Sequence, residues 1–443
     1  MDRVFLGDSF STDHGQGRCG SRLERELARL DGLVDWERLH RSPGAGRTMR
    51  QSVAPARDLL DRLGSPDREL QSILVAGTKG KGSVSSLVAT ALAAGGERVG
   101  LYTSPHVERV GERIRIDGEE IGGDALATVL GEALDVREAA IAERGAAAEA
   151  TWFDVLTVAA IGAMARAGVG YAVLECGLGG RLDSTRAVTP ILSVVTNVSL
   201  EHTAVLGSTR EAIAWEKAGV ASAGAPLVTG LASPDDEAAR VVADVAREAG
   251  AALVRVCVPA GASIEEENEE LAAEVLRQLG HPVPGEPGGL DREGWRAASR
   301  LPGRLERILG PEKVVLDGAH VPGSLDRVFA VLQADPALAS SPDVVFGCRT
   351  DKDLPGLLKV LRGRVDRVHC TSLGRGLDAS PERIAGLARS LGLDASAADD
   401  PEAALAMARR RAGADRWILV TGSLHLLGRL RPLLVRPTGK RPC

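Results

Sequence analysis

A two-domain α/β architecture, with a larger first domain built on a mainly parallel sheet, is predicted by three observations. Apolar strand-like runs alternate with helical patterns through most of the chain, which implies parallel strands joined by crossover helices. At 443 residues the chain exceeds what one hydrophobic core usually supports. A Gly- and Pro-rich stretch at 285–289 leads through Trp295 to Leu301-Pro302-Gly303-Arg304, where the composition changes as it does in a linker.

In chain order, residues 1–32 are polar and charged, lack the apolar core of a signal peptide, and read as a mobile N-terminal extension. The first domain, 33–300, shows strand patterns at 73–76, 99–102, 171–175, 191–196 and 227–229, with helical patterns at 84–94, 153–167 and 235–249. The second, 301–443, repeats the alternation on a smaller, Rossmann-like scale, with strands at 314–316, 344–346, 368–371 and 418–421 and helices at 322–332, 381–391 and 401–411.

Composition excludes several classes of protein. With 44% hydrophobic and 26% charged residues and no apolar run long enough to cross a bilayer, the reading is a cytoplasmic protein without a membrane partner. A net charge of −6 argues against nucleic-acid binding, which needs clustered Lys and Arg. Anionic small molecules must therefore be held by local positive groups, and a monomer is expected. Cys19, Cys176, Cys257, Cys348, Cys370 and Cys443 are scattered without a CxxC pair and read as reduced and structural.

The strand Ser72-Ile73-Leu74-Val75-Ala76 runs into Gly77-Thr78-Lys79-Gly80-Lys81-Gly82-Ser83 and then into a helix, the arrangement that cradles phosphates in a P-loop-type ATPase domain. Glycines let the backbone curl so that several N–H groups meet one anion, the helix adds its positive N-terminal end, and Lys81 adds a full charge. Ser83 offers a hydroxyl to Mg²⁺. The spacing is not GxxxxGK[ST], and a bare GTKGKGS could also be an ordinary strand-to-helix turn.

Further polar residues cluster where strands end, the place ligands occupy in open parallel sheets. Glu175 precedes Gly177-Leu178-Gly179-Gly180 and is placed to hold Mg²⁺, unless it is simply a solvated strand-end carboxylate. Glu201-His202 follows another strand, and beside a phosphate loop His202 reads as a ligand to a second metal ion. Lys217 alone reads as a helix C-terminal lysine. Arg304 follows a Pro-Gly turn, and Asp317-Gly318-Ala319-His320 follows a strand; an arginine offsets phosphate charge and an aspartate accepts ribose hydroxyls.

The ordered series GTKGKGS, Thr103-Ser104-Pro105-His106, Glu112-Arg113-Ile114-Arg115-Ile116, LECGLGGRLDST, Glu201-His202-Thr203, EKAG, PGRLE, LDGAH, FGC-x-x-DKD and Val420-Thr421-Gly422-Ser423-Leu424 resembles the folylpolyglutamate synthase and dihydrofolate synthase branch of the Mur ligases, from about residue 33 to 430. The resemblance implies an ATP- and Mg²⁺-dependent ligase that joins L-glutamate to dihydropteroate or a folate through an acyl phosphate. By matching positions it implies Gly77, Thr78, Gly80, Lys81, Gly82, Ser83, Asn268, Arg304, Asp317 and His320 around ATP. It implies Ser83 and Glu175 on one metal, His202 on a second, and Lys217 carbamylated nearby. Lys81, His202, Lys217 and Arg304 carry catalysis in this reading, and Ser104, Pro105, His106, Arg113 and Asp183 hold the acid, with Trp152 and Phe153 as candidate stacking partners. Domain closure is expected to bring Arg304, Asp317 and His320 over the phosphate loop.

Five positions depart from the family pattern. Lys79 and Arg186 each stand for an Asn, Val321 for the Asn after DGAH, Ile264 and Glu265 for a His-Gln pair, and the segment between Val254 and Asn268 is short. Two alternatives stay open: the same chemistry on another carboxylic acid, with Arg186 tuned to it, or a nucleotide-binding homologue without catalysis.

Overall fold

The structure, a computed structural model, describes residues 21–35, 52–259, 261–308, 313–374, 378–411 and 416–435. Cys19, Cys443 and residues 1–20 of the expected extension lie outside these. The first sheet comprises β1 (Gln71–Ala76), β2 (Val99–Tyr102), β3 (Ile114–Ile116), β4 (Glu119–Glu120), β5 (Tyr171–Glu175), β6 (Pro190–Val195), β7 (Leu227–Thr229) and β8 (Leu253–Arg255). Their order is β4-β3-β2-β5-β1-β6-β7-β8, with six parallel strands and an antiparallel edge at β3 and β4.

Helices cover both faces, so the central strands are apolar throughout rather than alternating. Leu74, Ala172 and Leu174 face the core that holds Trp152, while Ile73, Val75, Val173 and Val194 face the one that holds Trp295. Chain order reverses at β1, which lies between β5 and β6, and a crevice opens there at the carboxyl ends of the strands.

The second sheet holds β9 (Glu306–Ile308), β10 (Lys313–Asp317), β11 (Asp343–Phe346), β12 (Arg367–Cys370), β13 (Ala395–Ala397) and β14 (Trp417–Thr421) in the order β13-β12-β11-β14-β10-β9. Five strands are parallel, and β9 closes one edge antiparallel to β10. Every strand expected from the sequence is present within two residues at either end. The short edge strands β4, β8, β9 and β13 escaped detection because two or three residues carry too little periodicity to read. The long helix Gly123–Glu143 was also missed.

One expectation fails. Arg22–Asp31, assigned to the extension, is an amphipathic helix opened by a Ser21/Glu24 capping box, with Leu30 fully buried in the first-domain core. Arg29 pairs with Glu26 within the helix and ties it to Asp135 and Glu138. This stretch belongs to the first domain.

The two domains meet at the loop that follows β2. Val107 joins the apolar cluster of the second domain, and a Cβ on Gly428 would come within 2.3 Å of its carbonyl oxygen. Arg431, on the helix Leu424–Leu434, pairs with Glu108 at 2.5 Å and with Glu306 at 2.9 Å. Arg431→Ala leaves these two carboxylates facing each other without a counter-ion, so a loss of about 2 kcal/mol is expected in urea unfolding. A variant as stable as the parent removes this triad from the interdomain account. Among the described residues no helix is long and apolar enough to cross a membrane.

Candidate active site

At the end of β1 the chain turns at Gly77, whose φ is 146° and where a Cβ would fall 1.9 Å from Thr196 Oγ1. Gly80 has φ 81°, and its missing Cβ leaves room for Asn268 Oδ1, 2.2 Å from where that atom would sit. Only glycine meets both conditions. The loop is held from the β6 side: Thr78 N–H donates to the Asn197 carbonyl at 2.9 Å and Lys79 N–H to Asn197 Oδ1 at 2.9 Å. The Lys79 carbonyl accepts from Thr196 Oγ1 and Asn197 Nδ2 at 2.7 and 3.0 Å. The helix Lys81–Ala94 starts without a side-chain cap. Its first N–H groups and the Lys81 ammonium therefore form the anion-binding end.

Glu175 closes β5 and is buried, with Oε2 accepting the Ser104 N–H at 2.9 Å. Burial pushes its carboxyl up, and the Lys81 charge opposes that. It lies against the first turn of the loop helix: a Cβ on Gly82 would be 3.1 Å from Oε2. Ser83 and Glu175 line the same cleft. A hydroxyl and a carboxylate are hard oxygen donors that fit Mg²⁺ shared with phosphate oxygens. No three-residue His, Cys, Asp or Glu metal cluster is present among the described residues.

His202, at φ 50°, is exposed at the cleft rim, and partial burial of the ring, with Lys81 and Lys217 acting the same way, holds its imidazole below the ordinary value. The ring is neutral at pH 7, the form that ligates metal. Lys217 does not line the cleft. It reaches the loop from behind, 4% exposed, with Nζ donating to the Gly77 carbonyl at 2.7 Å. Burial, and next the Lys81 charge, lower its amine to about 7.

The second domain supplies the opposite wall. Arg304, Asp317 and His320 line one cleft of about 1110 Å³ together with Lys79, Lys81, Ser83 and Glu175. Asp317 Oδ2 accepts the Leu305 N–H and Oδ1 the Ala319 N–H, each at 2.9 Å. This carboxylate therefore anchors the turn in which Leu305 takes φ 47°, and so aims Arg304. His320 Nδ1 donates to the Gly318 carbonyl at 2.9 Å, and burial lowers the ring to about 4, which leaves Nε2 as an acceptor.

On the acid side, Ser104, Pro105, Asp183 and Phe153 line the main cleft, and His106 lines a small adjoining cavity of about 30 Å³. Arg113 is buried beneath the loop, donating to His106 Nδ1 at 2.9 Å and standing 4.7 Å over the Trp152 ring. Trp152 is a core residue at 1% exposure, so of the two aromatic candidates only Phe153 faces the cleft. Asp183 accepts from the Leu178 and Thr185 N–H groups and the Thr185 hydroxyl, which shapes the glycine turn after β5. Arg186 donates to the carbonyls of Val188, Gly219 and Ala221, which accounts for its presence without an acid ligand. Asn197, Arg327 and Lys352 also shape or line the cleft and were not assigned from sequence. The DKD motif was the signal for Lys352.

Because the glycine-rich loop and Arg304 line one cleft from different domains, fold and cleft together define a class: two-domain α/β proteins with a loop-helix N-terminus facing a cleft between their halves. The model of the Mur ligase glutamate ligase domain matches residues 303–424. A folylpolyglutamate synthase of Lacticaseibacillus casei is 32% identical over 414 residues, covering 85% of this chain and 93% of that protein. A probable bifunctional folylpolyglutamate synthase/dihydropteroate synthase of Haloferax volcanii is 36% identical and covers 91% of this chain, which spans only 50% of that longer relative. Among solved structures, the bifunctional folylpolyglutamate synthase/dihydrofolate synthase of Yersinia pestis, complexed with AMPPNP and Mn, superposes with a TM-score of 0.75 at 28% identity, covering 95% of this chain and 100% of that one. The chain belongs to the folylpolyglutamate synthase/dihydrofolate synthase family of the Mur ligases.

Proposed function

We propose that the protein is an ATP-dependent ligase that joins L-glutamate to dihydropteroate, to folate (poly)glutamates, or to both. The observation that carries this reading is one cleft in which the open loop-helix N-terminus, Lys81 and Glu175 face Arg304 from the other domain. Family membership supports the substrate class.

In this mechanism a carboxylate oxygen of the acid attacks the γ-phosphorus, ADP leaves, and an acyl phosphate forms. The glutamate nitrogen then attacks the acyl carbon, loses a proton, and expels inorganic phosphate. Lys81 and the helix N-terminus neutralise the migrating phosphoryl group, and Arg304 approaches it from the second domain. Ser83 and Glu175 would hold Mg²⁺, which would supply further charge neutralisation. A second ion at His202 is part of the same reading, as is Asn268 beside Gly80 near the nucleotide. Arg327 and Lys352 offer cations to the carboxylates of the incoming glutamate. Enclosure between the domains keeps water from the acyl phosphate. The four described cysteines, Cys176, Cys257, Cys348 and Cys370, are free thiols, which suits a reducing cytoplasm.

Phe153, Leu178 and Leu182 add apolar surface to the cleft lining, which favours a flat heteroaromatic acid. Glutamate-dependent phosphate release from ATP is expected to rise at least about tenfold with dihydropteroate or tetrahydrofolate over a simple aliphatic acid. Equal stimulation by unrelated acids overturns the substrate class. ATP turnover that no acid stimulates overturns the ligase.

A further inference from the structure

Two lysines stand in the phosphate loop, and the mechanism above uses one. Lys81 opens the helix, whereas Lys79 lies two residues earlier, on the β6 side. Both backbone polar groups of Lys79 are already spent on Thr196 and Asn197, so its side chain is not needed to hold the loop. Its Nζ donates to Glu201 Oε1 at 2.8 Å, and the two side chains are 30% and 25% exposed. The pair is part-buried, so both groups stay within reach of a ligand. Both residues line the cleft.

We propose that Lys79 is a second phosphate cation of the loop that contacts the terminal phosphoryl group of a bound nucleoside triphosphate, with Glu201 as its counter-ion before the nucleotide binds. The proposal rests on the nucleotide reading of this site and extends it to a residue type that stands in place of an uncharged Asn. An ammonium has three N–H donors, and Glu201 takes one, which leaves two for phosphate oxygens. Lys79 lines the same cleft as Arg304 and His320 of the opposite domain, which places it where the halves meet. Before a nucleotide binds, Glu201 cancels a charge that would otherwise add to that of Lys81. A triphosphate, bringing more negative charge than one carboxylate, competes with Glu201 for the ammonium.

Two nucleotides separate this contact from general nucleotide binding. Dissociation constants for ADP and for the non-hydrolysable AMPPNP, both with Mg²⁺, are to be measured by calorimetry on the full chain and on Lys79→Ala, Lys79→Asn and Glu201→Gln. Both Lys79 variants are expected to weaken AMPPNP by about tenfold or more while changing ADP less than about twofold, the size of one lost charge-assisted contact to the terminal phosphate. Glu201→Gln should act with the opposite sign and tighten AMPPNP, because the competing carboxylate is gone. An unchanged ratio of the two affinities in both Lys79 variants, with ADP still bound, overturns the proposal and leaves the nucleotide reading standing. Weakening of AMPPNP by Glu201→Gln overturns the counter-ion role. Wild-type protein that binds neither nucleotide overturns the proposal together with the reading beneath it.

Discussion

Lys81→Ala is expected to lower glutamate-dependent phosphate release by about 10³-fold, equivalent to roughly 4 kcal/mol of transition-state stabilisation. The size follows from position. Lys81 is the first residue of the loop helix, lines the cleft, and carries a full charge where the phosphoryl group migrates. Its charge also opposes the effect of burial on Glu175, so its loss should raise that carboxyl further. The fold should be kept, since the loop is anchored through Thr196 and Asn197 rather than through this side chain. Thermal unfolding within a few degrees of the parent, alongside the loss of turnover, is the expected pair of results. Near-normal amide synthesis by the variant removes the loop from the catalytic centre.

Lys217 is expected to carry a carbamate, formed when its neutral amine attacks CO₂ and loses a proton, and Lys217→Ala to lose about 10²-fold in activity. Burial brings the amine to about 7, so above that pH most of it is unprotonated and nucleophilic. Activity should therefore fall in CO₂-depleted buffer, fall most steeply below pH 7, and return with bicarbonate. A native mass that never includes one added CO₂, with activity indifferent to bicarbonate, defeats the claim. The same shift has a stability consequence. An unfolded lysine titrates near 10.4, so between about pH 7 and that value the unfolded chain binds the extra proton and stability rises with pH. Below pH 7 the buried ammonium is a full cost. Lys217→Met should therefore gain most over the parent at pH 6 and least at pH 10, in the absence of CO₂.

The partition between what was legible in the chain and what was not follows the range of the interactions involved. Gly77 and Gly80 mark a phosphate loop because φ values of 146° and 81° are open to glycine, a constraint each residue carries locally. Glu175 could be placed at a strand end because five consecutive residues of β5 are buried and read as one apolar run. The alternation of strands and helices determined the α/β class and both parallel sheets in the same way. Arg22–Asp31 misled because a polar, charged stretch becomes ordered only through Leu30 and Arg29, whose partners lie on the helix Gly123–Glu143 and beyond.

What each candidate side chain does was decided by tertiary contacts alone. Arg113 and Trp152 sit beneath the acid loop rather than in the cleft, because one stacks on the other. Asp317 spends both oxygens on the backbone of its own turn, and Arg186 is absorbed by the Gly219 and Ala221 carbonyls just past a distant helix and by that of nearby Val188. Lys79 and Glu201, 122 positions apart, meet only because β1 and β6 are hydrogen-bonded neighbours. The sequence by itself determined the fold class, the anion-binding turn and the family, since each rests on residue types at short, fixed spacings. The tertiary structure decided which charges face the cleft and which are spent on the protein, since that depends on groups far apart in the chain brought within a few ångströms.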